Sequence, residues 1–155
     1  MAVKEYYGKY RAKVVDINDP EKRGRIRVMC PKVLREYKSA WCEPCIPIAY
    51  DFGGDFALPK VNEFVWIEFE SGDINKPIYT GGLWSKNKSP SPSYSDKERL
   101  ITWGDCKIEM NSETNTIKIS VGSSSIIMSS GSIQISSPSV TKNGVSIATH
   151  NDIKS

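Results

Sequence analysis

The sequence predicts an all-β protein in two parts: a small barrel of the OB-fold type, then a narrow β structure that needs further copies of itself to fold. Three observations carry this. Residues 7 to 84 form a run of short strand patterns separated by turn residues, with no sustained helical period. Residues 85 to 96, SKNKSPSPSYSD, are polar and proline-bearing, as a linker is. Beyond Leu100, apolar residues recur in pairs two apart, between clusters of Ser, Asn and Gly.

In the first part, Tyr10 to Ile17 is β-rich, and Asn18-Asp19-Pro20 predicts a turn that Gly24 closes. Arg25-Ile26-Arg27-Val28-Met29 alternates charged and apolar residues, predicting a strand with one buried and one wet face. Pro31 ends it, because proline has no amide for a central ladder. Trp41 to Tyr50, broken by Pro44 and Pro47, reads as an irregular edge, and Gly53-Gly54 as a turn. Val61 to Phe69 is rich in β-branched and aromatic residues and predicts the best strand of the chain. Gly72-Asp73 turns the chain, and Pro77 to Trp84 closes the domain. About five short strands in this length fit a small barrel. The expected domains are 1–84 for the barrel, 85–98 for the linker and 99–155 for the tail.

In the tail the apolar pairs are Ile108 and Met110, Ile117 and Ile119, Ile126 and Met128, Ile133 and Ile135, and Val145 and Ile147. This short repeat of strand and turn suits narrow β-solenoids and fibrous β-helices. Each strand offers two or three inward apolar side chains and the pattern has no second layer. Ordering a residue costs about 1–2 kcal/mol of backbone entropy, and burying an isoleucine returns about 1.5–3 kcal/mol. Between Glu113 and Asp152 the only charged side chains are Lys118 and Lys142, so the strand edges lack the charges that discourage pairing. Several identical chains around one axis would close the edges and cover the isoleucines. A flexible Ser-rich tail is the competing reading, and the alternation of Ile with polar residues argues against it.

Composition excludes little. Hydrophobic residues make up 39% and charged residues 25% of the 155, which argues against disorder throughout. A net charge of +3 is too weak to imply nucleic acid. The N-terminal segment MAVKEYYGKYRAKVV has no apolar core of a secretory signal, and no run approaches a membrane span. The expectation is a chain made in the cytosol that stays there or leaves without a cleaved signal. Of the cysteines, Cys42 and Cys45 form a C-x-x-C, while Cys30 and Cys106 stand alone; buried free thiols are expected rather than a zinc or redox site. The single histidine, His150, leaves no Ser-His or Cys-His dyad elsewhere. Glu63, Glu68 and Glu70 read as a solvated strand face, so no enzymatic activity is expected.

The segment YRAKVVDINDPEKRGRIRVMCP resembles the opening of the OB-fold domain in phage baseplate spikes, a family that includes baseplate assembly protein V and the VgrG spike of type VI secretion. Asn18-Asp19-Pro20 and Gly24-Arg25-Ile26-Arg27-Val28 carry the match. Trp41-Cys42-Glu43-Pro44-Cys45 resembles the family's Trp-x-x-Pro segment. Leu58 to Phe69 resembles its Pro-x-Val-Gly-Asp-Glu-Val strand, with Asn62 in the place of glycine, and Gly72 to Trp84 resembles its Gly-Asp-x-x-x-Pro-Ile strand. Arg99-Leu100-Ile101-Thr102, Gly104 and Lys107 to Asn111 resemble the opening of the family's trimeric β-helix, with Gly104-Asp105 where Gly-His is common. The lysozyme domain that some members insert after the barrel is missing.

The resemblance implies an OB-fold followed by an intertwined homotrimeric β-helix. It implies a structural spike at the tip of a contractile tail or injection particle, attached through its OB-fold to the hub of the tail tube. The β-helix would puncture the target cell envelope, with a tip or effector protein as a further partner and no nucleic acid bound. Related tips hold iron with His-x-His from three chains; His150 is the candidate metal ligand here, one per chain, and an exposed histidine near a frayed terminus is the competing reading. Two other functions compete. An OB-fold nucleic-acid binder would use Tyr10, Trp41, Phe64 and Trp66 as stacking platforms. A trimeric carbohydrate-binding adhesin would use the β-helix.

Overall fold

The computed structural model describes residues 4–91, 93–142 and 144–149. The chain divides into two compact units, Met1–Lys88 and Ser89–Ser155.

In the first unit, β1 (Tyr10–Asp16), β2 (Arg27–Met29), β3 (Glu43–Pro44), β6 (Phe64–Phe69) and β7 (Pro77–Leu83) form one sheet in the order β2-β1-β6-β7-β3. All neighbours are antiparallel except β3 and β7, which run parallel. An antiparallel bridge from Ile26 to Cys42 joins the two ends of the sheet. The circuit β1-β2-β3-β7-β6-β1 is thereby closed, which is the five-stranded Greek-key barrel of an OB-fold. A short hairpin, β4 (Ala49–Tyr50) with β5 (Gly53–Gly54), stands outside this circuit.

Alternation dictates the core. Ala12 and Val14 from β1, Val28 from β2 and Val65, Ile67 and Phe69 from β6 point inward, joined by Ile26, Cys30, Cys42 and Tyr79. Pro31 does end the second strand, and it then opens a single helical turn, α1 (Pro31–Leu34), where its missing amide costs nothing. The expected strand from Val61 starts later, at Phe64. Asn62 has φ +74°, a left-handed conformation that breaks an extended run, and its amide donates to Val14 O at 2.9 Å. Arg25 was expected on a wet face and is instead buried, for a reason given below.

The second unit contains a five-stranded antiparallel meander: β8 (Glu98–Trp103), β9 (Cys106–Asn111), β10 (Thr116–Val121), β11 (Ser124–Ser129) and β12 (Ser132–Ser136), in the spatial order of the sequence. A separate hairpin follows, β13 (Ser139–Lys142) with β14 (Val145–Thr149). Gly104 (φ +58°) and Gly122 (φ +54°) sit in the tight β8–β9 and β10–β11 turns, where a left-handed residue matches the twist of the flanking strands. Among the described residues no helix is long and apolar enough to cross a membrane.

Candidate functional site

Three regions carry the features that the sequence singled out. The first is the loop between β1 and β2. Asp19 Oδ1 accepts Nε and Nη2 of Arg25 at 3.1 and 2.7 Å, while its oxygens also accept the amides of Glu21, Arg23 and Arg25. Arg25, first among these donors, holds the Asp19 carboxyl well below the usual carboxylate range; burial pushes the other way and the three amides add to Arg25. Arg25 therefore has no need of water: Glu21 takes a second hydrogen from its Nη2 at 3.0 Å, and its guanidinium lies 5.8 Å from the Trp41 ring centroid. Arg27 approaches the same ring at 5.2 Å. Arg23 pairs with Glu43 at 3.1 Å, and Tyr79 donates its hydroxyl to Gly24 O at 2.7 Å. Three separated segments of the sequence, residues 19–27, residues 41–43 and Tyr79, thus lock one end of the barrel.

The C-x-x-C is split by this packing. Cys42 is buried, with Sγ 3.4 Å from Ser39 Oγ, and Cys45 is exposed. Burial pushes the Cys42 thiol up to about 11, despite the Ser39 contact that works the other way. Cys30 is also a buried free thiol, whereas Cys106 is exposed.

The second region is the tail sheet. Its register places Ile101, Ile108, Ile119, Ile126 and Ile135 opposite one another across all five strands. Beside this ladder runs a row of Arg99, Met110, Ile117, Met128 and Ile133, and on its other side stand Trp103, Cys106, Val121 and Ser124. Direct partners share a face and alternate residues share it too. One face is therefore almost wholly apolar. The opposite face is mostly polar: it carries Glu109, Lys118, Gln134, Lys107, Ser120, Ser125 and Ser136, with Leu100 and Ile127 among them. Part of the apolar face, with Val140 of β13, lines a groove of about 340 Å³. The face as a whole is open: exposure along the ladder runs from 36% at Ile108 to 56% at Ile135, and Ile133 reaches 69%. Five strands about 4.8 Å apart with three rows of side chains make an apolar area of several hundred Å², the size at which an uncovered patch marks an interaction surface.

The third region is the outward face of β1 and β6. Of the four aromatics that a nucleic-acid reading selects, Phe64 and Trp66 point outward here, with the Arg11 guanidinium 5.3 Å from the Trp66 ring centroid. Tyr10 instead packs edge-on against Phe69, their ring centroids 5.8 Å apart, and Trp41 is held by Arg25 and Arg27. The structure thus does not gather the four into one platform. Glu68 pairs with Lys9; Glu63 precedes β6, and Glu70 opens the 3-10 turn Glu70–Gly72, facing Lys76 at 3.9 Å. His150 lies outside the described residues.

Sequence reading missed two features. The third apolar row of the tail, with Cys106 facing Trp103 and Val121, was hidden because Cys106 looked like an isolated thiol. The β4–β5 hairpin was read as irregular edge and turn, yet it exposes Ile48, Tyr50, Phe52 and Phe56. Four large apolar residues within nine positions were the available signal.

No curated protein matches the chain. Residues 10–84 match the family described as the type VI secretion system/phage-baseplate injector OB domain. The matched stretch coincides with the closed barrel and with every residue of the Asp19–Arg25–Trp41–Tyr79 lock, and this part of the chain belongs to that family of baseplate injector OB domains.

Proposed function

We propose that the protein is the homotrimeric central spike of a contractile tail or injection particle. The barrel attaches the spike to the hub of the tail tube, and the tail unit, wound with two other copies into a β-helix, is driven into the target envelope. Family membership of the barrel supports a baseplate role. The observation that carries the spike reading is the isoleucine ladder: an unbroken apolar row on a sheet face that one chain leaves half open. Three such faces turned inward on one axis give each isoleucine of the ladder a partner and leave Ser, Lys and Gln, with Ile127, outside. The role is mechanical, with no reaction to catalyse, and what it demands is a narrow rod without loose strand edges.

Solution mass tests this directly. Sedimentation equilibrium or light scattering is expected to give about 52 kDa, three times the 17.3 kDa chain. A stable monomer in dilute buffer would refute the reading.

A further inference from the structure

The barrel unit has two surfaces that its own packing leaves unused. One is the β4–β5 hairpin, which exposes Ile48, Tyr50, Phe52 and Phe56, Phe52 completely. It carries Asp51 and Asp55, and no lysine or arginine occurs between Cys45 and Leu58. Its base is tied to the β1–β2 loop, where the Phe56 ring closes on Gly24. A two-stranded hairpin is marginal in water, and this one leaves Tyr50 and Phe52 uncovered by its own chain.

The other surface is the outward face of β1 and β6. Arg11 stands opposite Trp66, and Lys13 opposite Phe64. A hollow of about 310 Å³ beside them is lined by Lys9, Tyr10, Arg11, Pro31, Lys32 and Trp66. Lys9 is neutralised by Glu68, but Arg11, Lys13 and Lys32 have no carboxylate partner among the described residues.

We propose that the acidic aromatic hairpin of one copy docks on the basic aromatic face of the next, so that the barrels close into a ring. The two surfaces match in charge sign, two carboxylates against three unpaired cations, and each offers aromatic area to the other. Arginine beside a half-buried tryptophan is a favoured partner for both an aromatic ring and a carboxylate. Hairpin and face are different patches of one chain, so the contact is head-to-tail, and such contacts close into rings when the rotation fits. Three copies per ring rests on the trimer reading above; the docking contact does not come from it.

The test uses the full chain with Cys45→Ser and Cys106→Ser, leaving only buried thiols, and adds Phe52→Cys together with Lys32→Cys. After mild oxidation, a non-reducing gel is expected to show covalent dimers and trimers, and neither single cysteine variant should do so. A 52 kDa particle that yields only monomer bands overturns the docking and leaves the trimer standing; a monomeric particle overturns both. A second arm avoids cysteines. Asp51→Lys with Asp55→Lys should weaken the particle at low salt at least tenfold, and adding Arg11→Glu, Lys13→Glu and Lys32→Glu should restore it. Failure of the restoration overturns the proposal, as would an intact trimer that binds oligothymidylate or a hub protein through Arg11 and Trp66.

Discussion

Asp19 and Arg25 hold each other through two hydrogen bonds to a single carboxylate oxygen, at 3.1 and 2.7 Å. The pair closes the β1–β2 loop from within, since the same carboxylate collects the amides of Glu21, Arg23 and Arg25. This is the physical content of the Asn-Asp-Pro and Gly-Arg pattern, which lies within the matched residues 10–84.

Acid should therefore unlock this loop late. The folded carboxyl of Asp19 is depressed, so its contribution is present above the unfolded value near 4 and is lost as pH falls below the ordinary carboxylate range. Asp19→Asn removes the charge and one acceptor from a buried arginine. Thermal melts from pH 7 to pH 2 should show the variant less stable at neutral pH, with a flatter acid dependence than the parent. Parallel curves for the two proteins would contradict the assignment.

Asn62 offers a backbone test. Its φ of +74° suits glycine or asparagine. Asn62→Gly should leave stability within about 1 kcal/mol, and Asn62→Val should cost about 1–3 kcal/mol because a β-branched side chain resists this conformation. Urea unfolding checks both values.

On the tail sheet, the face of a substitution should matter more than its position along the strand. Ile119→Asp puts a charge into the ladder and should dissociate the proposed trimer; Ser120→Asp, one residue on and on the opposite face, should leave the solution mass unchanged. Equal effects would refute a covered apolar face.

Thiol chemistry gives an independent reading. Cys45 should react rapidly with an aromatic disulfide reagent at pH 8, and Cys42 should react only on unfolding. Cys106 is exposed in one chain but sits beside Trp103 and Val121 on the face that the proposed trimer would cover. It should be protected in the particle and labelled once urea separates the chains. Burial raises the Cys42 thiol from 9.0 to about 11, so its buried neutral form contributes stability below pH 9 that is lost as pH climbs through about 11. Cys42→Ala should blunt the alkaline loss.

Alternation made much of this architecture legible. The tail pairs, such as Ile117 with Ile119 and Ile126 with Met128, specified two of the three apolar rows before any register was known. The barrel strands were placed because valine, isoleucine and aromatics cluster between turn residues. What failed did so where long-range partners override local pattern. Arg25 reads as solvent-facing until Asp19 is seen to neutralise it. Val61 and Asn62 read as strand until Asn62 turns left-handed. The hairpin's exposure was invisible because nothing in a sequence says that Phe52 finds no cover within its own chain.

The tail meander also behaves as a ruler. Each strand adds one isoleucine to the ladder and about 4.8 Å to the sheet, at a cost of only eight to ten residues. Inserting or deleting one hairpin changes the span by about 9.6 Å, with strand direction and facing preserved. Reach can therefore be lengthened or shortened in fixed increments by duplication or loss of a few codons, without redesigning any surface.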